Sequence, residues 1–325
     1  MAKLQSPIFT DETKAREHLE AQRWAGGRYC PHCGEADQAK TPLVGGKKHR
    51  PGLYYCNSCK ATFTVTVGTV FERSKVALTK WLLAFYLLTS SKKGFSAHQL
   101  HRTLGVTYKT AWFMAHRIRE AMAPAKGSTE PLGGEGKTVE ADETYFGKVE
   151  KMRMTDEAGK PFKGSKRGRG PANKRAVIAL VERGGKARTF HPETVTRAAV
   201  EKIIAQNVAK ESRLHTDESH LYAKSRVPWM VAEHSTVRHS EDEYVRGDVT
   251  SNSVEGYFSV FKRGMRGTYQ HCAEKHLHRY LAEFDFRFNN RSALGVEDAE
   301  RADEALRNTS GKRLTYRPTH GGLGA

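Results

Sequence analysis

From Ser251 to Gly267 the chain reads SNSVEGYFSVFKRGMRG, with Val254, Tyr257, Phe258 and Phe261 at i, i+3, i+4 and i+7. That spacing is the apolar stripe of an amphipathic helix. Asn252, Glu255, Ser259 and Lys262 repeat with the same period on the opposite side, so one carboxylate and one lysine share a polar line. Further back, WLLAFYLL (Trp81 to Leu88) predicts a buried helix over Leu78–Leu88. Ser96 to Met122 predicts two more helices, broken at LGV where Gly105 supplies the turn, a helix-turn-helix pattern. In the second, Val106, Thr110, Phe113, Met114 and Ile118 form the inner face. Tyr108, Lys109, Trp112, His116 and Arg117 are spread over the rest. Polar residues near such a helix's start are placed to reach base edges in a major groove; an ordinary helix hairpin shows the same pattern.

Period-two stretches predict strands at Thr62–Val67, Thr138–Gly147, Arg175–Glu182 and Lys186–His191, the last two joined as a hairpin. A helix over Thr196–Lys210, a short strand RLHTD (Arg213–Asp217), a helical turn and the helix of the opening stretch follow. Strands that alternate with helices describe a mixed α/β layer fold. The aromatics Tyr280, Phe284, Phe286 and Phe288 belong to the core of a last helix that ends at Asn289, Asn290 and Arg291. Domain limits follow: an N-terminal helix and cysteine-rich ribbon at 1–70, helix-turn-helix at 71–122, a Gly- and Pro-rich linker at 123–137, an α/β domain at 138–300, and a tail at 301–325. Within the α/β domain lies a basic insertion, 148–175, whose Lys151–Arg175 segment has nine basic residues against two acidic. Its Lys166, Arg167 and Arg169 are candidate phosphate contacts.

Charge narrows the partners. Among 325 residues, 54 Lys and Arg stand against 36 Asp and Glu, a net +18 with a pI near 9.7, which favours nucleic acid. No window approaches the roughly 18 apolar residues of a membrane span. The N-terminus lacks the order of a signal peptide, so a cytoplasmic location and reduced cysteines are expected.

Four of the five cysteines form two CxxC pairs, Cys30/Cys33 and Cys56/Cys59, with 22 residues between Cys33 and Cys56. Each pair supplies two corners of a tetrahedron, so together they predict a closed, structural Zn2+ ribbon with no position left for water. Cys272 reads as a small buried apolar group.

Three acids fall where metal chemistry wants them: Asp142 in the first strand of the α/β domain, Asp217 at the end of a later strand, and Glu255 on the opening helix. Converging carboxylates can hold two divalent cations suited to phosphoryl transfer. Glu255 also fits a capping box begun by Asn252, and both readings stay open. Period two places Glu140 on the face of Asp142 as a rival or assistant, whereas Glu143 points away.

The four-cysteine ribbon, VEADETYFG, HTDESHLY, SNSVEGYFSVFKRGMRGTYQH and HLHRYLAEFDFRFNNR resemble the bacterial and archaeal insertion-sequence transposases with an ISXO2-like DDE domain, from about Trp24 to Arg291. The resemblance implies a ribonuclease H-like mixed sheet with flanking helices behind the ribbon and helix-turn-helix. It implies Mg2+- or Mn2+-dependent cleavage at element ends and joining of the 3′ hydroxyl to target double-stranded DNA, by a homodimer or larger assembly in a prokaryotic cell. Asp142, Asp217 and Glu255 match the acidic positions and Lys262 the basic one; Asn252 is the alternative third residue. Arg263 and Arg266, one turn on, are placed to meet phosphates, with Tyr108 and Lys109 as candidate DNA contacts in the helix-turn-helix. The alternative function is a catalytically inactive zinc-ribbon/helix-turn-helix regulator derived from such an enzyme.

Overall fold

A computed structural model of the chain describes residues 3–125, 130–147, 174–223, 226–237 and 245–315. It forms two compact units, one of Met1–Pro124 with Gly295–Ala325, the other of Ala125–Leu294. Lys166, Arg167, Arg169 and nearly all of the expected basic insertion lie outside the described residues. Arg175, where the insertion meets the strand expected over Arg175–Glu182, is the buried first residue of that strand.

The first unit opens with α1 (Glu12–Arg23), capped by the side chain of Asp11, which accepts from Thr13 N and Lys14 N. The ribbon follows, with the short strands β1 (Tyr54–Tyr55) and β2 (Thr62–Phe63) paired antiparallel. The strand expected over Thr62–Val67 stops at Phe63, and the next residues enter turns in which Thr69 Oγ1 donates to Thr66 O. The apolar run folds as α2 (Leu78–Ser90), with Trp81, Leu82, Ala84, Phe85 and Leu88 buried. α3 (Ala97–Leu104) ends at Gly105, whose φ of 60° is a left-handed C-cap that costs glycine little. α4 (Tyr108–Met122) starts at Thr107, whose hydroxyl caps Thr110 N.

His116 and Arg117, expected on the outer face of α4, are buried. Arg117 donates to the carbonyls of Val70, Glu72 and Leu314, so it is spent on backbone acceptors. Tyr108 remains exposed, its ring stacked on His98 with centroids 4.2 Å apart; Lys109 is exposed beside it. The expected C-terminal tail begins inside a further helix, α9 (Asp298–Arg307), which buries Ala302, Ala305 and Leu306 against α1, α2 and α4.

The second unit holds five strands: β3 (Thr138–Phe146), β4 (Arg175–Glu182), β5 (Ala187–Phe190), β6 (Arg213–Asp217) and β7 (Glu233–Val237). Their order in the sheet is β5-β4-β3-β6-β7. β3, β4 and β5 pair antiparallel, while β6 runs parallel to β3 and β7 parallel to β6. This is the ribonuclease H-like mixed sheet, with α5 (Arg197–Asn207) and α6 (His220–Ala223) between its later strands. After β7 come a small hairpin of β8 (Val245–Arg246) and β9 (Val249–Thr250), then α7 (Asn252–Gly264), a π-helical turn (Met265–Tyr269) and α8 (Leu277–Asn289). The continuous apolar run of β4 is explained by burial on both faces. Val177, Ala179 and Val181 pack with Val254, Tyr257, Phe258 and Phe261 of α7. Ile178 and Leu180 join Val139, Ala141, Val200 and Ile204 on the α5 face. Cys272 packs half-buried against the α7 side.

The expected linker is partly built into this unit. Leu132 is buried and forms a parallel bridge to Val208, while Gly133 N and Gly134 N donate to Glu182 Oε2 and Ser212 Oγ.

Candidate active site

The ribbon's four thiols gather as the doubled spacing requires. Cys30 Sγ lies 3.7 Å from Cys59 Sγ, and Cys33 Sγ 3.7 Å from Cys56 Sγ. Four sulfurs about 2.3 Å from a tetrahedral Zn2+ are about 3.8 Å apart, whereas a disulfide brings them to about 2.05 Å. The residue after each pair, Gly34 at φ 80° and Lys60 at φ 58°, adopts the left-handed conformation that turns the knuckle. Trp24, Tyr54 and Phe63 pack beneath the site. The geometry fits a structural zinc with no open position.

The acids are placed by the sheet. In the parallel β3/β6 register Glu140 faces His215 and Ala141 faces Thr216, so the next step brings Asp142, midway along β3, beside Asp217, the last residue of β6, on one face. Carboxylate oxygens of Asp142, Glu143 and Asp217 all lie within 4.8 Å of one another. Asp217 Oδ1 also accepts from Ser219 N at 3.1 Å, and Asp142 Oδ1 from Glu143 N at 2.7 Å. Burial, then the charges of Asp217 and Glu143 and finally Glu255, push the Asp142 carboxyl up to about 7. Glu143 is raised by burial and then by Asp217. Tyr222, fully buried, is pushed well up by burial and then by Glu143, Asp142 and Asp217. Partly buried carboxylates that crowd in this way fit a divalent cation, which offsets their repulsion and takes oxygen ligands.

Alternation along β3 aims Glu143 at the α5 face, so its convergence with Asp142 was not foreseen. β6 ends at Asp217, leaving no strand residue of β6 in register with Glu143 to keep the two carboxylates apart. Glu140, on the face of Asp142, is drawn elsewhere. Fully buried, it accepts from Ser253 N and Val254 N at the start of α7.

Glu255 sits one turn into α7, exposed, and accepts from Ser251 Oγ at 2.7 Å. It stands outside the close trio, although its charge still acts on Asp142. Ser251, rather than Asn252, is the residue before the helix; Asn252 is exposed in its first turn, its amide donating to Thr250 Oγ1 at 3.1 Å. Lys262 is half-buried, Nζ 5.9 Å from the Phe258 ring centre. Arg263 and Arg266 are exposed further along, Arg263 Nε donating to Ser259 O. No helix among the described residues is long and apolar enough to cross a membrane.

A family model described as an ISXO2-like transposase domain matches residues 131–289, and one described as a transposase zinc-ribbon domain matches residues 10–62. An uncharacterized protein in transposable element ISH50 of Halobacterium salinarum is 30% identical over 283 residues, 86% of this chain and 91% of the relative. Similar solved structures include a chain of the simian T-cell lymphotropic virus intasome in complex with PP2A regulatory subunit B56 gamma. It is 14% identical, with 57% of this chain and 63% of that chain covered and a TM-score of 0.29. Another is a chain of a pre-cleavage Mos1 transpososome, 12% identical, with 65% and 70% covered and a TM-score of 0.25. The chain belongs to the insertion-sequence transposases that carry an ISXO2-like transposase domain behind a transposase zinc ribbon.

Proposed function

We propose that the protein is a DNA transposase that binds the ends of its own insertion sequence, cleaves strands there with Mg2+ or Mn2+, and joins the freed 3′ hydroxyl to target DNA. The observation that carries this reading is the meeting of Asp142, Glu143 and Asp217 within 4.8 Å where β6 ends beside the middle of β3, on a chain of net charge +18. Asp142 and Asp217 would hold the cations, with Glu143 as a further carboxylate from the same strand. Bound divalent cations supply charge that activates an attacking oxygen and stabilises a leaving one. Glu255 is the third acidic residue of the site and Asn252 the weaker alternative, because a neutral amide binds Mg2+ less strongly than a carboxylate. Lys262, Arg263 and Arg266, along α7 and the turn beyond it, would meet the phosphates flanking the scissile bond. Tyr108 and Lys109 at the start of α4 would contact the element end as a helix-turn-helix does, with Lys166, Arg167 and Arg169 of the insertion adding phosphate contacts. Two ends must be processed together, so the working form is a homodimer or larger assembly in the cytoplasm.

The test incubates the purified protein with the DNA that flanks its own reading frame and Mg2+, mapping nicks to the nucleotide and scoring branched joining products. Cleavage and joining that Asp142→Asn abolishes support the reading. Ends released without branched product make it a nuclease, and DNA bound without a nick makes it a regulator.

A further inference from the structure

α7 begins with one local partner, Thr250 Oγ1, which accepts from Asn252 N; the next two amides, of Ser253 and Val254, have no neighbouring side-chain cap. Ser251 makes no side-chain bond to either. Those amides are satisfied from a strand more than a hundred residues earlier: Glu140 Oε2 accepts from Ser253 N at 2.7 Å and from Val254 N at 3.0 Å, and Oε1 from Ser253 Oγ at 3.0 Å. The same carboxylate accepts from Arg183 Nε and Nη2 at 3.1 and 3.0 Å. Arg183 continues to the segment entering the helix, donating to Asp248 O at 3.0 Å and Thr250 O at 3.4 Å. His215, beside Glu140 in the sheet, is buried and has its pKa lowered, by burial first and then by Arg183. It therefore adds no competing positive charge near neutrality.

A charge at 0% exposure is costly unless its hydrogen bonds are complete, and here five donors complete them. An aspartate at the helix start, where Ser251 instead turns to Glu255, would cap it equally well. What the long-range arrangement adds is registration. Glu140 lies two residues before Asp142 on the same face of β3, so the strand that carries the first acid also grips the start of the helix that carries Glu255 and Lys262.

We propose that Glu140 and Arg183 are positioning residues: together they fix the start of α7 against β3, so that Glu255 and Lys262 are presented to the acids of β3 and β6. The inference rests on reading those acids as the strand-transfer site. A merely structural ion pair would stabilise the unit without selecting the placement of α7, and the two roles separate experimentally.

The experiment compares full-length wild type with Glu140→Gln, Arg183→Lys and Val200→Ala. Val200 is a core residue on the other face of the sheet, so its truncation weakens the unit without touching α7. Amide hydrogen exchange and Mg2+-dependent cleavage of end DNA are measured on each at a temperature where all remain folded by circular dichroism. In Glu140→Gln the amides of Ser253 and Val254 exchange at least about tenfold faster while β3 stays protected, and cleavage per folded molecule falls about 100-fold. Arg183→Lys shows both effects more weakly, because one ammonium cannot reproduce the planar fork. Val200→Ala shows neither. Glu140→Gln that cleaves like Val200→Ala, or leaves the Ser253 and Val254 amides protected, overturns the positioning role. A wild type that never cleaves overturns the site reading instead, and the proposal with it.

Discussion

Glu143→Gln tests the three-carboxylate cluster in two conditions, metal-free and metal-bound. Two unit charges 4.8 Å apart, the upper limit among these oxygens, repel by about 3 kcal/mol at an effective dielectric of about 20. Glu143 faces two such partners. The site is half open to solvent, so a net relief of about 1–2 kcal/mol on neutralising it is the reasonable expectation. At pH 8, above the Asp142 pKa of about 7, that relief raises the melting temperature of the metal-free protein by about 4 °C. Saturating Mn2+ cancels most of that advantage. A ligand at 100 times its Kd stabilises by about 2.7 kcal/mol, and a tenfold affinity loss from the missing carboxylate removes about 1.4 kcal/mol of that. Scanning fluorimetry with and without Mn2+ reads both effects. A variant that melts lower than wild type without metal, or whose Mn2+-induced rise equals that of wild type, refutes the cluster as a cation site.

Cys33→Ser, or a strong chelator, releases one equivalent of Zn2+ in a colorimetric assay and opens residues of the ribbon to protease; fragments cut within 125–294 would contradict the structural assignment. Lys60→Gly removes the strain of a side chain at φ 58° and raises the urea midpoint by the equivalent of about 1 kcal/mol; a lower midpoint would refute it. Gly133→Ala sets a Cβ 2.1 Å from Ser212 Oγ at φ 89° and costs about 2–4 kcal/mol in the same measurement, so a loss under about 0.5 kcal/mol would be inconsistent. Asp285 accepts from Tyr257 Oη and from Thr189 N and Oγ1; burial is the largest influence on its carboxyl and raises it to about 6. The folded state therefore holds the proton better than the unfolded chain. Stability from this group is full below about pH 4 and is lost as pH rises to about 6. Chemical denaturation of wild type against Asp285→Asn between pH 4 and 7 should show that falling difference, and a flat or rising one would exclude it.

Much of the second unit was legible because its signals are local. Arg175–Glu182 and Arg213–Asp217 carry strand-length apolar or alternating runs, and the stripe of Val254, Tyr257, Phe258 and Phe261 permits only one buried helix face. β7 was not foreseen: EHSTV is polar, and this edge strand buries only Val237 fully, so burial leaves little trace in its residue types. Glu143 was misjudged because period two describes the interior of a strand, whereas Glu143 stands where the neighbouring strand has ended. Glu140 looked like a spare acid since its partners, Arg183, Ser253 and Val254, are tens to more than a hundred residues away. Likewise nothing local distinguishes Arg117 from a surface arginine; its acceptors Val70, Glu72 and Leu314 come from three separated segments.

Because α9 belongs with the first unit while residues 125–294 form the second, one domain is inserted within the sequence of the other. During synthesis the inserted domain emerges whole before α9, but its host waits for the segment after residue 294 to pack against α2. A transcript broken after residue 294 would yield a finished α/β body attached to a half-built neighbour with a greasy helix bare, a product suited to degradation. Intact translation thereby becomes a checkpoint on the assembly of the zinc-containing half.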